Sequence, residues 1–352
     1  MILYVYHFSQ RGEMRAEEIA LKIKNENVIF RGERVLPVLR ERFEEPDFYE
    51  ADALLFIGAA GIATRKIGHL AEDKTKDPAV LVLDENLQFV IPILSGHIGG
   101  ANRLAKIMAK LTGAAAVITT ATDVNGLFAV DEFAADNGFL ISDKSLIKTV
   151  SGKLLSEGKI TMAVEGISSA GQSDFLEIYG EAPKEIIFVS YPPGGPVDVI
   201  LSADRADAEK CILHLLNRPV VVGIGCKKDT EPSALEDFFL DALAENDIPL
   251  SAVSGIASID LKKDEPALTE LSKAYSLPVK TFTAEQLKGA EGDFPASGFV
   301  ESVTGVSEVS GRAAKLLGGD GEFVLQKKKK DGMTISIFRR KTLISFYGDS
   351  DE

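Results

Sequence analysis

The sequence predicts an α/β protein of two or more domains, with largely parallel sheets and a ligand cleft at the carboxyl ends of the strands. Short apolar runs alternate with amphipathic helical patterns along almost the whole chain, and this alternation is typical of β-α-β units. The length of 352 residues exceeds what a single domain usually holds. Ligands of such sheets bind outside the carboxyl ends of the strands, and most unusual residues of this sequence follow an apolar run.

Residues 1–130 are predicted to form an N-terminal α/β domain. Strands are expected at 2–8, 53–58, 79–85, 89–94 and 115–119, and helices at 15–25 and from Gly61 onward. Asp84-Glu85-Asn86 is a turn signal that joins two of these strands, either as a hairpin or at the edge of a mixed sheet. Between Gly100 and Leu111, apolar residues recur at helical spacing, and Gly113 is well placed to end that helix.

Residues 131–217 are predicted as a middle segment and residues 218–345 as a C-terminal α/β domain. The middle segment is less periodic, with strands at 159–166, 185–191 and 197–201 and a helix over 203–217 that buries His214. A new α/β series then begins with a strand at 220–226. It continues with helices at 233–245, 266–274, 284–290 and 311–317, and with strands at 256–259, 279–283, 322–327 and 334–340.

Composition and charge exclude several classes of protein. The net charge of −14 argues against general nucleic-acid binding, although it permits an anionic small molecule at a locally basic site. No apolar run is long enough to span a membrane and the first residues do not resemble a signal peptide, so we expect a cytoplasmic protein without a membrane partner. Two cysteines exclude a disulfide framework and a four-cysteine zinc site. Basic clusters such as Lys327 to Lys330 are interpreted as solvated faces or as protection of an edge strand.

The turn Ser95-Gly96-His97 is the main candidate for catalysis. Ser95 lacks the G-x-S-x-G elbow of a serine nucleophile, so we interpret His97 as a general acid or base. A loop histidine with a structural hydrogen bond is the alternative. Glycines at 96, 99 and 100 indicate close approach of the backbone to a ligand or to a neighbouring strand. A helix that begins near Gly99 would direct N–H groups at a carboxylate, a phosphate or a developing oxyanion.

Polar residues also follow other predicted strands. Thr119 to Asp123 end one of them, and Asp123 would orient His97 or contact a substrate, with helix capping as the alternative. Thr64 and Arg65 stand at a helix start that could face an anion. The dinucleotide and Walker patterns are absent, which argues against NAD and ATP.

Cys226 is the candidate nucleophile of the C-terminal part. The adjacent Lys227 and Lys228 would lower the pKa of its thiol. A catalytic thiol is nevertheless disfavoured, because no histidine lies in residues 218–345 to act as its base. The four histidines of the chain also lack the spacing of a zinc site.

Several motifs together resemble one family. "GIATRKI", "ILSGHIGGANRLA" and "AVITTATD" resemble the N-terminal domain of the cobalt-precorrin-5A hydrolases of anaerobic cobalamin biosynthesis. "VVVGIGCKKDT", "IASIDLKKDEPAL" and "VTGVSEVSGRAA" resemble the C-terminal domain of the same family. The resemblance covers residues 50–130 and 219–340, and the middle segment matches less well.

The resemblance implies a hydrolase that opens the ring A acetate δ-lactone of cobalt-precorrin-5A and releases acetaldehyde to give cobalt-precorrin-5B. The partner is a cobalt-bearing tetrapyrrole, and the cobalt belongs to the substrate rather than to a protein cofactor. His97 and Asp123 are the candidate catalytic residues. Since the macrocycle is rimmed by carboxylates, cationic and N–H groups at strand ends are expected to bind it. The candidate substrate-binding residues are Gly61, Thr64, Arg65, Ser95, Gly96, Gly99, Gly100, Asn102, Arg103, Thr119, Thr120, Gly225, Cys226, Lys227 and Lys262.

Two other functions stay open at this point. Both domains could hold a corrinoid without catalysis, as a tetrapyrrole carrier does. The glycine-rich helix start would also suit an α/β enzyme that binds a phosphate or a sugar phosphate. The sequence predicts no nucleic-acid partner and leaves open whether the chain forms a homo-oligomer.

Overall fold

The computed structural model describes residues 1–30, 32–72, 76–96, 99–120, 124, 126–169, 171–294 and 306–346. These residues contain three sheets of five or six strands and three short two-stranded pairs, packed against helices. The predicted α/β class with largely parallel sheets is confirmed. Within the described part of the chain, no helix is both long and apolar enough to cross a membrane.

The first sheet is formed by strands that lie between residues 2 and 116. Its region comprises β1 (Ile2–His7), α1 (Gln10–Asn25), β2 (Ile29–Phe30), β3 (Glu33–Arg34), β4 (Leu36–Arg40), α2 (Glu45–Glu50), β5 (Ala53–Ile57), α3 (Ala60–Ile67), β6 (Ala79–Leu83), β7 (Phe89–Leu94), α4 (Ala101–Thr112) and β8 (Ala115–Ala116). The strand order is β4-β1-β5-β6-β7-β8, and β6–β7 is the antiparallel pair. β2 and β3 form a separate antiparallel pair.

Helices cover both faces of this first sheet. Ile19 of α1 and Leu104 of α4 pack with Leu55 of β5 on one face. Phe48 of α2 and Ile67 of α3 share the opposite apolar cluster with other residues of the strands. Every residue of β5 and β6 is buried as a result, which explains why these strands read as unbroken apolar runs.

The turn between β6 and β7 is a hairpin organised by Asp84. Its carboxylate accepts hydrogen bonds from the backbone N–H groups of Asn86, Gln88 and Phe89, at 2.9, 2.7 and 2.6 Å. Leu87 takes a left-handed backbone conformation in the same turn. Asp84 therefore acts through its acceptor oxygens as a turn residue, as the sequence indicated.

The second sheet contains residues 140–216. Its region comprises α5 (Val130–Asp136), β9 (Leu140–Ile141), α6 (Ile147–Glu157), β10 (Ile160–Val164), β11 (Ile167–Ser168), β12 (Gly171–Gln172), β13 (Leu176–Tyr179), β14 (Ile186–Val189), β15 (Val197–Ser202) and β16 (Cys211–Leu216). The strand order is β14-β10-β15-β16-β9, and β16–β9 is the antiparallel pair. β11 and β12 form a separate antiparallel pair.

The helix predicted over 203–217 is wrong. A 3-10 turn spans Arg205–Lys210, and the apolar residues that follow it form strand β16. β16 lies between β15 and β9, so successive residues on both of its faces are buried. A short apolar run of that kind has the same composition as a buried helical segment. The predicted burial of His214 is confirmed, since 1% of the residue is exposed.

The third sheet contains residues 220–340. Its region comprises β17 (Val220–Cys226), α7 (Pro232–Ala244), β18 (Val253–Ile259), α8 (Pro266–Tyr275), β19 (Val279–Phe282), α9 (Ala284–Lys288), α10 (Ser310–Gly318), β20 (Gly321–Lys330) and β21 (Met333–Arg340). The strand order is β19-β18-β17-β21-β20. β17 pairs in parallel with β18 and antiparallel with β21.

Helix α10 lies directly on strand β17 because Gly223 has no side chain. A Cβ atom at Gly223 would stand 1.8 Å from the carbonyl oxygen of Ser310. The helix therefore approaches the backbone of the strand more closely than any other residue would permit. This contact fixes the start of α10 beside the carboxyl end of β17.

A final strand, β22 (Thr342–Ser345), leaves the third sheet and pairs in parallel with β13. The backbone N–H of Ser345 donates to Asn137 Oδ1 at 2.6 Å, and Asn137 Nδ2 donates to the carbonyl oxygen of Ser345 at 2.9 Å. Ile344 is fully buried in the apolar cluster of the second sheet. The domain boundaries proposed from the sequence stay a prediction.

Candidate functional site in a glycine-rich turn and a lysine-lined cavity

The turn at Ser95 is closed by its own backbone. Ser95 has a left-handed backbone conformation (φ 56°) and is buried, and its hydroxyl donates to the carbonyl oxygen of Asp77 at 3.0 Å. The carbonyl oxygens of Ser95 and Gly96 accept hydrogen bonds from the backbone N–H groups of Ala101 and Asn102, at 3.1 and 3.0 Å. Two of the first N–H groups of α4 are therefore satisfied by the turn itself.

The glycines of this turn are required by close packing within it. A Cβ atom at Gly99 would lie 2.3 Å from Ser95 Cβ, and one at Gly96 would lie 2.8 Å from Asn102 Oδ1. Gly100 precedes α4 with φ 83°, a conformation that favours glycine. The close neighbours at positions 96 and 99 belong to the turn and to the start of α4, and not to the neighbouring strand that was one of the two predictions. By contrast, no atom lies within 4 Å of a Cβ placed at Gly61.

Asn102 connects the start of α4 to the segment after β8. Only 1% of this residue is exposed, and its Nδ2 donates to Thr120 Oγ1 at 2.9 Å. Thr119 is exposed beside it. The two predicted catalytic residues, His97 and Asp123, lie outside the described residues. Their sequence neighbours Gly96 and Thr120 are held together through Asn102.

The two arginines predicted as substrate-binding residues in this domain differ in whether a carboxylate of the protein pairs with them. The Arg103 guanidinium forms an ion pair with Asp136 of α5 and lies 5.7 Å from the centre of the Phe30 ring. Arg65 is exposed and, among the described residues, forms no ion pair. The helix start predicted at Thr64 and Arg65 is wrong, because α3 begins at Ala60 and Arg65 lies in its last turn. Thr64 Oγ1 donates back to the carbonyl oxygen of Ala60 at 3.0 Å. Arg65 is thus better placed than Arg103 to bind an external carboxylate.

A cavity of about 990 Å³ lies at the carboxyl ends of β17 and β18. The loop between β20 and β21 and the start of α10 complete its walls. Four predicted residues line it, namely Gly225, Cys226, Lys227 and Lys262, and none of the described residues predicted in the first domain does. Its apolar lining includes Ile259, Leu261, Val309 and Met333. A volume of this size is at the upper end of the range of ligand pockets, roughly 300–1,000 Å³.

Six lysines line the cavity: Lys227, Lys228, Lys262, Lys327, Lys329 and Lys330. Three of them form ion pairs. Lys262 contacts Glu265 at 2.9 Å, Lys327 contacts Glu308 at 3.3 Å, and Lys330 contacts Asp241 at 3.6 Å. The other three have no ion pair with any described residue. Within the described part of the chain, the cavity therefore offers three ammonium groups without an ion pair beside an apolar surface, and its lining also includes the carboxylates of Asp229, Asp264 and Asp331.

Glu308 and Glu265 are the two buried carboxylates among the lining residues, and Glu308 stands just before α10. It is 1% exposed and accepts hydrogen bonds from Ser310 Oγ at 2.6 Å and from the backbone N–H groups of Gly311 and Arg312 at 2.7 and 3.1 Å. A carboxylate at this position stabilises the N-terminus of α10. Because it also pairs with Lys327, it holds that ammonium group in the cavity wall.

The prediction of a lowered pKa for Cys226 is wrong. Burial raises the pKa of this thiol above its usual value, and the nearby Lys262 only partly opposes the effect. The two adjacent lysines, 227 and 228, are exposed, so their charges are screened by water. The thiol is therefore protonated at neutral pH, which agrees with the weak case for a catalytic cysteine.

The lysine run from 327 to 330 and Glu308 were not predicted as site residues. β20 is an edge strand, so the interpretation of edge protection fits its place in the sheet. The register of β20 shifts on both sides of Leu325, so Phe323 packs with Phe338 on one face and Leu325 packs with Ile337 on the other. These shifts break the period of two, and simple alternation therefore does not predict the place of Lys327 beside Glu308.

Comparisons with known proteins agree with the resemblance. Residues 43–123 match the family described as cobalamin synthesis G N-terminal, and residues 220–338 match cobalamin synthesis G C-terminus. A cobalt-precorrin-5A hydrolase from Salmonella typhimurium is 39% identical over 288 residues, which are 81% of each chain. A cobalt-precorrin-5A hydrolase from Priestia megaterium is 32% identical, over 83% of this chain and 80% of the relative.

One solved structure spans nearly the whole length. A cobalamin biosynthesis protein G homolog from Sulfolobus solfataricus is 20% identical, with 96% of each chain covered and a TM-score of 0.43. The assignment to a family rests on the sequence matches. The N-terminal and C-terminal family domains match in that order along the chain, and the resemblance inferred from the motifs is confirmed. The chain belongs to the cobalamin synthesis G family, which includes the cobalt-precorrin-5A hydrolases.

Proposed function

We propose that this chain hydrolyses cobalt-precorrin-5A to cobalt-precorrin-5B, opening the ring A acetate δ-lactone and releasing acetaldehyde. The observation that carries the proposal is the 39% identity to a relative of that name, over 81% of both chains. The cobalt ion enters as part of the substrate.

The lysine-lined cavity is the proposed site for the carboxylate rim of the macrocycle. Lys227 and Lys329, which form no ion pair with a described residue, would contact carboxylates, while Leu261 and Val309 would pack against the apolar ring. An apolar pocket with a few convergent charges is the usual form of a site for a large organic anion. Lys262 would contribute less, because it already pairs with Glu265.

The lactone step is assigned to the turn between β7 and α4. His97 would take a proton from the water that attacks the lactone carbonyl, which yields a carboxylate and a hydroxyl group on the bridge carbon. The N–H groups of Ala101 and Asn102 are already taken. The proposed donors to the oxyanion are therefore the N–H groups of Gly99 and Gly100.

Cleavage of the carbon–carbon bond is assigned to residues at the same turn and at the neighbouring strand end. The hydroxyl group on the bridge carbon loses its proton and becomes the carbonyl of acetaldehyde, as the bond to the macrocycle breaks. The electron pair of that bond takes up a proton on the macrocycle. His97 and Asp123 are the proposed residues for these two proton transfers.

An anaerobic assay with cobalt-precorrin-5A tests the proposal. The purified chain is expected to release one acetaldehyde for each substrate converted, measured by trapping the aldehyde and by the absorbance of the corrinoid. Tight binding of the corrinoid without acetaldehyde would establish a carrier instead. Thermal stabilisation by sugar phosphates, but not by the corrinoid, would favour the phosphate-binding alternative.

A further inference from the structure

A second cavity, of about 540 Å³, lies where the chain passes between the second and third sheets. The connection from β16 to β17 supplies Asn217 to Pro219, and the connection from β21 to β22 supplies Arg340 and Lys341. This cavity shares no lining residue with the lysine-lined cavity. It therefore has to be explained apart from the hydrolase site.

Two guanidinium groups converge in this cavity. Arg218 Nε donates to the carbonyl oxygen of Val253 at 2.8 Å, and a second nitrogen of the same guanidinium donates to that oxygen as well. Arg340 donates to the hydroxyl of Ser254, the next residue along β18. The backbone brings the two arginines together, because the N–H of Arg340 donates to the carbonyl oxygen of Pro219 at 2.8 Å.

Neither guanidinium forms an ion pair with any of the described residues. Of the four described arginines whose Nε is buried without a partner, Arg40 and Arg339 form ion pairs with carboxylates, and Arg312 donates to three carbonyl oxygens. Among the described residues, the side chain of the fourth, Arg340, has the Ser254 hydroxyl as its one acceptor. Its guanidinium is thus the least satisfied of this group.

The other charges of the cavity do not compensate the pair. Lys341 adds a third cation, which pairs with Glu177 at 2.6 Å. Asp320 is the carboxylate of the lining, and it is exposed and forms no ion pair with either arginine. Burial and the neighbouring Arg205 lower the pKa of Arg218, and burial and Arg218 lower the pKa of Arg340. Partial burial of two guanidinium groups that have no carboxylate partner among the described residues costs free energy, and a bound anion would offset that cost.

We propose that the cavity between Arg218 and Arg340 binds a small oxyanion, the carboxylate or phosphate group of a small molecule. The planar guanidinium fork is suited to two oxygens of such a group. A bound anion would contact both connections between the second and third sheets, so it would also restrain their movement. This proposal does not depend on the hydrolase activity.

Calorimetric titration of the full chain tests the proposal, with inorganic phosphate and with succinate as separate probes at constant ionic strength. Saturable binding of at least one probe is expected, and which probe binds identifies the preferred group. Arg340→Gln is expected to weaken that binding about tenfold or more, because a charge-assisted hydrogen bond is lost. Arg11→Gln removes an exposed charge from α1 and is expected to leave it unchanged. Absence of binding by both probes, or equal affinity of the two variants, would overturn the proposal.

Hydrogen exchange locates the anion without any substitution. In the unaltered protein, the bound probe is expected to slow exchange in the backbone around residues 217–220 and 253–255. Protection confined to residues 226–228 and 327–330 would place the anion in the lysine-lined cavity and would also overturn the proposal. This readout stays decisive even if Arg340→Gln fails to fold.

Discussion

At the scale of single residues, the partner of a charged side chain decides what it can bind. Arg103 and Lys262 are cations near strand ends, but each already forms an ion pair with a carboxylate of the protein. Lys227 and Lys329 have no such partner among the described residues, and both line the larger cavity. Substrate carboxylates are therefore expected to select the second pair.

Lysine substitutions test that selection. Lys227→Gln and Lys329→Gln are each expected to raise KM for the corrinoid about fivefold with little change in kcat, since an exposed charge contributes on the order of 1 kcal/mol. Lys328→Gln is the matched control, because Lys328 lies on the same strand but pairs with Glu245 at 2.6 Å. Steady-state kinetics measure all three variants. Equal effects at 328 and 329 would contradict the assignment.

His97→Ala is expected to lower kcat by about 10²–10⁴-fold, as loss of a general acid or base does, with little change in corrinoid binding. Ser95→Ala serves as its control. The Ser95 hydroxyl donates to the carbonyl oxygen of Asp77, so its removal is expected to lower kcat less than tenfold. Binding is followed by absorbance under anaerobic conditions. A kcat near that of the unaltered protein for His97→Ala would remove this residue from the chemistry.

The burial of His214 predicts how the stability of the protein depends on pH. Burial lowers the pKa of this imidazole in the native state, so between that value and about 6.5 the unfolded chain binds the extra proton. Stability contributed by the neutral ring is therefore complete above about pH 6.5 and is lost as the pH falls below it. The melting temperature of His214→Gln is expected to fall less between pH 7.5 and 5.5 than that of the unaltered protein.

At the scale of elements, the turn before α4 is defined by distances inside it. The sequence indicated a close backbone approach there, and the structure assigns it to Ser95 and Asn102. The sequence did not identify Ser95 as a close neighbour of these glycines. A serine in the left-handed backbone conformation cannot be recognised from its residue type. The same holds for β16, whose apolar run fits a helix until its neighbouring strands are known.

Gly99→Ala measures the tightness of that turn. The added methyl group would overlap Ser95, so a destabilisation of about 1–3 kcal/mol is expected from overpacking. Gly61→Ala is the matched control in α3, where the new Cβ meets no atom within 4 Å. It is expected to stabilise by about 0.4–1 kcal/mol, because alanine restricts the unfolded chain. Thermal unfolding compares the two, and similar midpoints would contradict the packing assigned to Gly99.

At the scale of the whole molecule, the alternation of apolar runs and helical patterns predicted the α/β fold class. It also predicted most strands and helices of the first and third sheets. Strands buried on both faces, such as β5 and β17, carry a strong apolar signal. The position of β22 had no such signal, because its partner β13 is distant in sequence and only four residues long. Likewise, the site proposed from strand ends proved to be divided between two sheets. Gly225 and Lys329 line the same cavity although they are far apart in sequence. Only tertiary packing brings them together.

The pairing of β22 with β13 has a consequence for the order of events during synthesis. Asn137 and Ser345 are bonded to each other although 208 positions separate them. Ribosomes add residues from the N-terminus at about 5–20 per second, so α5 and β13 emerge many seconds before β22. During that interval the cluster that will receive Ile344 stays partly exposed to water. The middle of this protein therefore completes its folding only after the third sheet has been translated, and a chaperone that covers apolar surface would have most to protect there.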